Sequence, residues 1–320
     1  MFEGKRHLKY INSALDESYD VFICSASFED RCITIPKKIN KKRFKNVLIV
    51  KNLHGSQIVS DNAEIIRRLY SKNSSIVAID FRDSIKTADA ILGEVIGSKK
   101  SGQISVLLDI TTFTHETLLI VLKVLSLSKR ISKLTCVYCN AAEYCPGIPI
   151  ENKWLSRGSK QIHPVLGYSG ILLPSQKFHL IMLVGYEYSR AIEAISLIEP
   201  SSITLVYSSP ENAITEKDKD ANSIYEKIIS NMYFEYPRID HVQMPCDEPD
   251  TISSKLKELY VQHAGENIIV VPMNTKMSTI GVFLSVIGNE DVCVSYAQAV
   301  LYNESNYSVP GTRCYIYNIK

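Results

Sequence analysis

Two windows of the sequence carry side chains suited to holding a phosphorylated ligand. The first is Asp109-Ile-Thr-Thr-Phe-Thr-His115, set between an apolar run and a helix-period segment. The hydroxyls of Thr111, Thr112 and Thr114, together with the unsatisfied N–H groups of a helix start, suit a phosphate or a ribose edge. Asp and Thr before a helix also serve as N-caps, worth about 1 kcal/mol each. A cap needs only one or two such groups, so the surplus of polar side chains here points to a ligand or partner surface. His115, beside Glu116, has the chemistry of an acid–base catalyst, but no Ser or Cys nucleophile motif accompanies it.

The second window is Pro272-Met-Asn-Thr-Lys-Met-Ser278. Lys276, flanked by Asn274 and Thr275, is a point charge for phosphate. A cation at a helix start is otherwise unfavourable, so its position itself argues for an anion. Two acidic residues complete the set. Glu29 precedes Arg31, and Glu187 precedes Arg190. Each carboxylate has three uses: accepting from ribose hydroxyls, general acid–base work, or a structural ion pair or cap with its neighbouring arginine.

Other site chemistries find no support. The chain lacks G-x-x-x-x-G-K-[ST] and G-x-G-x-x-G, and its seven histidines form neither H-x-x-x-H nor H-x-E. Cys136 and Cys139 fall three apart on an apolar strand and so point to opposite faces, which does not suit a shared metal. No metal and no resident cofactor are expected.

The elements that must position these windows read as alternating strands and helices. In the first half, strands are expected at 20–25, 46–50, 75–79, 104–108 and 134–138, with helices at 62–70, 84–96 and 114–127. In the second, strands at 178–184, 202–207, 240–244, 267–271 and 291–296 alternate with helices at 189–198, 224–231, 253–263 and 275–287. Continuous apolar strands separated by helices indicate parallel sheets covered on both faces.

The halves also match in detail. An aromatic, a Glu and an Arg follow the first strand of each, and Val106–His115 aligns without gaps to Ile269–Ser278, placing Thr112 on Thr275. The expected fold is α/β, with two tandem Rossmann-like parallel-sheet domains related by internal duplication. The expected division is 1–150, a breaker-rich linker at 151–177, and 178–320. The polar stretch 211–223 reads as a surface loop or exposed helix.

Charge divides unevenly. Residues 1–170 carry 25 Lys and Arg against 16 Asp and Glu, whereas residues 171–320 carry 11 against 18. Such a split fits a nucleic-acid surface on the first half, or attraction to the second half or to another copy. Eight cysteines in so long a chain read as free thiols. No apolar run approaches the ~20 residues of a membrane helix, and Met1–Tyr10 lacks the apolar core of a signal peptide. A soluble, cytoplasmic protein is expected.

The strand–turn–helix windows at 268–282 and 104–122 resemble the signature turn of the CRISPR-associated Rossmann-fold (CARF) sensor domains. The resemblance rests on Asn274-Thr-Lys276 and, more loosely, Thr111-Thr-Phe-Thr114. The paired glycines that usually precede the Thr-Lys are absent here. The resemblance implies contact with a cyclic oligonucleotide or other nucleotide-derived signal, and a sensor or accessory subunit in bacterial defence or stress response. Its partners would be that ligand and a protein or a second copy of the chain. Two other readings stand beside it: a nucleotide-processing enzyme using Glu29 or His115, and a nucleic-acid-binding subunit using the basic first half.

Overall fold

A computed structural model of the chain describes residues 2–80, 82–233 and 238–320. The chain forms two compact units, one of residues 1–142 with 308–320 and the other of residues 143–307.

The first unit is built on β1 (Phe2–His7), β2 (Tyr19–Ser25), β3 (Phe44–Asn52), β4 (Ser74–Ile79), β5 (Ile104–Asp109) and β6 (Ile131–Tyr144). Helices α1 (Ile11–Ala14), α2 (Thr34–Lys38), α3 (Gln57–Tyr70), α4 (Ser84–Gly97) and α5 (His115–Leu127) connect them. The second unit contains β7 (Ser156–Pro164), β8 (Phe178–Leu183), β9 (Ser202–Tyr207), β10 (Ile239–Gln243), β11 (Asn267–Pro272) and β12 (Val292–Tyr302). Its helices are α6 (Tyr188–Ile198), α7 (Ala221–Met232), α8 (Pro249–Gln262) and α9 (Lys276–Ser285), and the chain ends on β13 (Ser308–Asn318).

The apolar strands become the central ones because both of their faces can be covered. Phe22, Ile49, Leu107 and Val137 from four adjacent strands share the first core with Ala63 and Ile66 of α3. Leu180, Met182, Leu205 and Val271 share the second with Ala191, Ala194 and Ile195 of α6. In α3 the buried Val59, Ala63, Ile66 and Tyr70 recur at spacings of three and four, which places them on one face.

The sheet orders are β1-β13-β6-β5-β2-β3-β4 and β10-β9-β8-β11-β12-β7. Strands β2 to β6 pair in parallel, and so do β8 to β12. Written by position within each half, both sheets run fifth, fourth, first, second, third. Two Rossmann-like units of one topology therefore stand in tandem. The strand leading to Glu29 and the strand leading to Glu187 are topological counterparts.

Three strands lie outside this repeat. Segment 151–177, expected as linker, holds β7, which pairs antiparallel with β12. β13 lies between β1 and β6 in the first sheet. Each half thus lends its last strand to the other half's sheet. β7 escapes a reading by periodicity because it is an edge strand whose side chains are mostly half-buried or exposed.

The repeat also differs from the gapless match. Thr114 caps α5, accepting from the Thr117 N–H at 3.1 Å, and Thr275 caps α9, accepting from the Ser278 N–H at 3.0 Å. The equivalent residues are therefore Thr114 and Thr275, followed by His115 and Lys276. The loop after β5 is Ile110–Thr114 and that after β11 is Met273–Thr275, two residues shorter.

Two glycines test this packing. A Cβ on Gly185 would stand 1.9 Å from the Met273 carbonyl oxygen, so Gly185→Ala is expected to lower the urea midpoint sharply. Gly93, within α4, has open space around it. Gly93→Ala is expected to stabilise by about 0.5–1 kcal/mol in the same measurement.

Candidate functional site

In open parallel sheets a crevice forms where neighbouring strands send their connections to opposite sides. In the first unit that point lies between β2 and β5, and in the second between β8 and β11. The loops flanking it are those that carry the sequence windows, so both windows stand at a switch point.

In the first unit the polar groups turn inward. Asp109 is buried, and its Oδ1 accepts from the Thr111 N–H at 3.0 Å and from the Thr111 hydroxyl. Thr111 in turn accepts from the Cys139 N–H at 3.0 Å. Thr112 donates to the Ser25 carbonyl at 2.8 Å, tying the β5 loop to the end of β2. Thr114 is the cap. Each hydroxyl that looked surplus in the sequence thus has an internal partner. His115 and Glu116 are buried as well, and Ser84 donates to Glu116 at 3.4 Å. Burial pushes the Asp109 carboxyl up to about 7, against the lowering effect of the Thr111 hydrogen bonds.

The second unit is more open. Asn274 donates to the Val184 carbonyl at 2.6 Å, making the tie that Thr112 makes in the first unit. Thr275 donates to the Cys246 carbonyl as well as capping α9. Asn274, Thr275 and Lys276 are all half-buried. Because Gly185 has no side chain, the end of β8 presses against Met273 and Asn274. Tyr186 follows Gly185 after β8, and Lys276 follows the loop after the neighbouring β11. Tyr186 packs on Tyr144 with ring centroids 4.6 Å apart, and Tyr188 stacks on Tyr225 at 4.9 Å. Beside them Lys153, fully buried, donates to the Tyr144 carbonyl at 2.6 Å and pairs with Asp218 and Glu143. The stretch read as a surface loop contributes to this edge, since Ile214 and Thr215 are buried and Tyr186 donates to Thr215 at 3.4 Å.

The two acidic positions are held in ion pairs. Glu29 pairs with Arg31 at 2.8 Å and accepts from Ser308 at 2.8 Å. Arg31 also donates to the Tyr138 hydroxyl and the Cys139 carbonyl of β6, each at 3.3 Å. Glu187 pairs with Arg190 at 2.6 Å and accepts from Ser156. Arg190 donates to Ser156 at 2.8 Å and to the Ala297 carbonyl of β12. Ser308 and Ser156 are the first residues of the exchanged strands. The same clamp therefore pins an exchanged strand in each sheet, and of the three uses open to these carboxylates the fold supplies partners for the ion pair. Nothing local marks either serine in the sequence, because only the fold brings it to the arginine.

Among the described residues, one cluster has the composition of a metal site: His179, His263 and Glu266, with ligand atoms within 4.8 Å of one another. The two imidazoles are stacked with centroids 3.4 Å apart and planes at 10°. A metal sits in the plane of each imidazole that binds it, which two parallel rings cannot share. His179 also uses both ring nitrogens, with Ser202 at 2.7 Å and Thr204 at 3.0 Å. The cluster is a buried hydrogen-bonded stack, and burial followed by His263 lowers the His179 pKa to about 4.

No protein-family model matches the chain, and no curated protein matches it. Among solved structures, it is similar to a chain described as a short-chain dehydrogenase from Pseudomonas syringae, at 6% identity and a TM-score of 0.24, covering 88% of this chain and 96% of that one. It is also similar to the N-domain of bacterial malonyl-CoA reductase with NADP, at 9% identity and a TM-score of 0.28, covering 80% and 72%. At such scores the likeness carries no inference about function. Among the described residues, no helix is long and apolar enough to cross a membrane.

The buried titratable groups set opposite pH trends. Asp109 holds its proton to about pH 7 when folded but loses it near 3.8 when unfolded, so rising pH between these values favours unfolding. Asp109→Asn is expected to gain stability over the parent across that window, by at most about 1.4 kcal/mol per pH unit. His179 takes its proton near 6.5 when unfolded but near 4 when folded, so stability falls as pH drops between them. Urea midpoints from pH 4 to 8 check both trends, and a pH-independent difference between Asp109→Asn and the parent contradicts the first.

Proposed function

We propose that the chain recognises a nucleotide or nucleotide-derived signal at the carboxyl edge of its second sheet. The observation that carries this reading is the turn Asn274-Thr275-Lys276 at the switch point of the second sheet, where Gly185 lets the chain after β8 lie against Met273 and Asn274. Half-buried Tyr186 offers a face for a base, and base–aromatic stacking contributes about 1–3 kcal/mol. Half-buried Lys276 starts α9, where the positive end of the helix and the ammonium group both favour an anion alongside. Asn274 and Thr275 fix the loop through their own hydrogen bonds, so the lysine is mounted on a rigid turn.

The first unit, with its threonines turned inward and Glu29 clamped, acts as the framework. The resemblance of Asn274-Thr-Lys276 to the CARF turn favours a cyclic oligonucleotide as the ligand. It also favours a sensor or accessory role in bacterial defence or stress response, with a protein partner or a second copy as the receiver. The clamp on Glu29 counts against that residue as a catalytic acid or base.

Calorimetry with a panel of cyclic di-, tri- and tetranucleotides, ATP and NADP tests this reading. Binding of one member is expected, weakened by about 1–3 kcal/mol in Lys276→Ala with little change in melting temperature. Tyr186→Leu is expected to weaken the same ligand. Equal binding by Lys276→Ala and the parent removes Lys276 from the site.

A further inference from the structure

The amino edge of the first sheet, opposite the edge that holds the switch point, collects unpaired positive charge. Strands β3, β5 and β6 all begin there, and the segments that feed them are rich in lysine. Lys37, Lys38, Lys41 and Lys42 precede β3, Lys100 precedes β5 and Lys129 precedes β6. All six are exposed. None of the six has a carboxylate partner among the described residues.

Two acidic groups of this edge, Asp20 and Asp16, are already engaged, whereas Glu17 before β2 and Glu94 near the end of α4 are exposed. Asp20 is shared by Lys45 at 2.7 Å and Lys99 at 3.3 Å, and it accepts from the Ser105 N–H at 3.0 Å. Burial alone would raise its pKa, but these partners outweigh burial and hold it near 2. Asp16 is paired with Lys133.

The lysines are mounted on pinned backbone. Asn12 donates to the Lys38 carbonyl at 2.9 Å and accepts from the Asn40 N–H at 2.8 Å. Arg43 donates to the Leu15 carbonyl at 2.9 Å and the Asn12 carbonyl at 2.6 Å. The same edge holds a cavity of about 440 Å³ whose polar lining is Asn46, Asn73, Ser74, Ser75, Ser98 and the carboxylate of Glu94; the amides and hydroxyls can hydrogen-bond phosphate and sugar.

We propose that this edge binds the phosphate backbone of double-stranded nucleic acid without reading its sequence. The chemistry favours a duplex over a bilayer or a single strand. A membrane surface needs apolar side chains to insert. Leu15, Ile39 and Phe44 at this edge are instead turned into the core, and Leu127 is the exposed apolar side chain next to Lys129. A single strand needs aromatic faces on which to stack, and the lysine-bearing segments hold only Phe44, which is buried. What remains is a fixed array of point charges and polar donors, which suits backbone phosphates. The edge is separate from the proposed nucleotide site and stands without it.

Fluorescence anisotropy of a short labelled DNA duplex, titrated at several salt concentrations, is the test. The expected result is affinity that falls steeply with salt. Replacing Lys37, Lys38, Lys41 and Lys42 together by Gln should weaken binding at least tenfold. It should also reduce the slope of log affinity against log salt by up to about 3.6, or about 0.9 for each phosphate no longer neutralised. Should that variant fold poorly, the pair Lys100→Gln and Lys129→Gln, on different segments, is expected to shift the slope by about 1–2. Lys219→Gln, in the second unit, should leave duplex affinity unchanged. Three outcomes overturn the proposal: duplex binding that ignores both sets of lysines, binding insensitive to salt, or sedimentation with phosphatidylserine vesicles in place of duplex binding.

Discussion

The fifth strand of each repeat has an outer edge that must be covered. β6 spans 14 residues and β12 spans 11, both largely buried, and a bare edge on either would leave a row of backbone N–H and C=O groups without partners. Each repeat ends with a strand that does not return to its own sheet. β7 leaves the first repeat and covers β12, while β13 leaves the second and covers β6. Neither sheet is complete from one half of the sequence, so the duplication survives as a single interdependent chain.

The Glu–Arg–Ser clamps follow from that exchange. Arg31 reaches Glu29, the first residue of β13, and β6, while Arg190 reaches Glu187, the first residue of β7, and β12. A buried ion pair adds little net stability, because desolvation offsets most of the attraction. Removing one partner is costly, about 3–5 kcal/mol, because it strands the other charge. Here each pair also ties down the exchanged strand, because its arginine bonds the first serine of that strand and a carbonyl of the neighbouring strand. That tie accounts for an acidic residue and an arginine after the first strand of both halves, with no catalytic role required.

Once the exchanged strands are fixed, the sheet edges are free to differ. At the carboxyl edge of the first sheet the polar side chains close on one another, and Asp109 is isolated enough from water to keep its proton near neutrality. The corresponding edge of the second sheet has a loop two residues shorter, a lysine where the first has a buried histidine, and half-buried tyrosines alongside. The same topology thus gives one crevice whose loop hydroxyls are bonded within the fold and one whose loop ends on a half-buried lysine. The amino edge of the first sheet carries the positive excess that the overall charge of +2 conceals.

The sequence by itself determined the alternation of parallel strands and helices, the internal repeat, and the location of both windows beyond strand ends. Those features are written in local hydrophobic periodicity, which fixes an element and the face it buries within a few residues. The tertiary structure decided the rest. It placed β7 and β13 in sheets remote from their own repeats, and an edge strand with half-exposed side chains gives no periodic signal of its destination. It shifted the equivalence from Thr112 to Thr114, because the cap is defined by which N–H the hydroxyl meets. It also settled the partners of Glu29 and Arg31, since Ser308 lies 279 and 277 residues away from them in the chain. A hydroxyl or a carboxylate looks equally ready for a ligand or for a neighbour until the fold supplies the neighbour, and no local pattern encodes a contact across that distance.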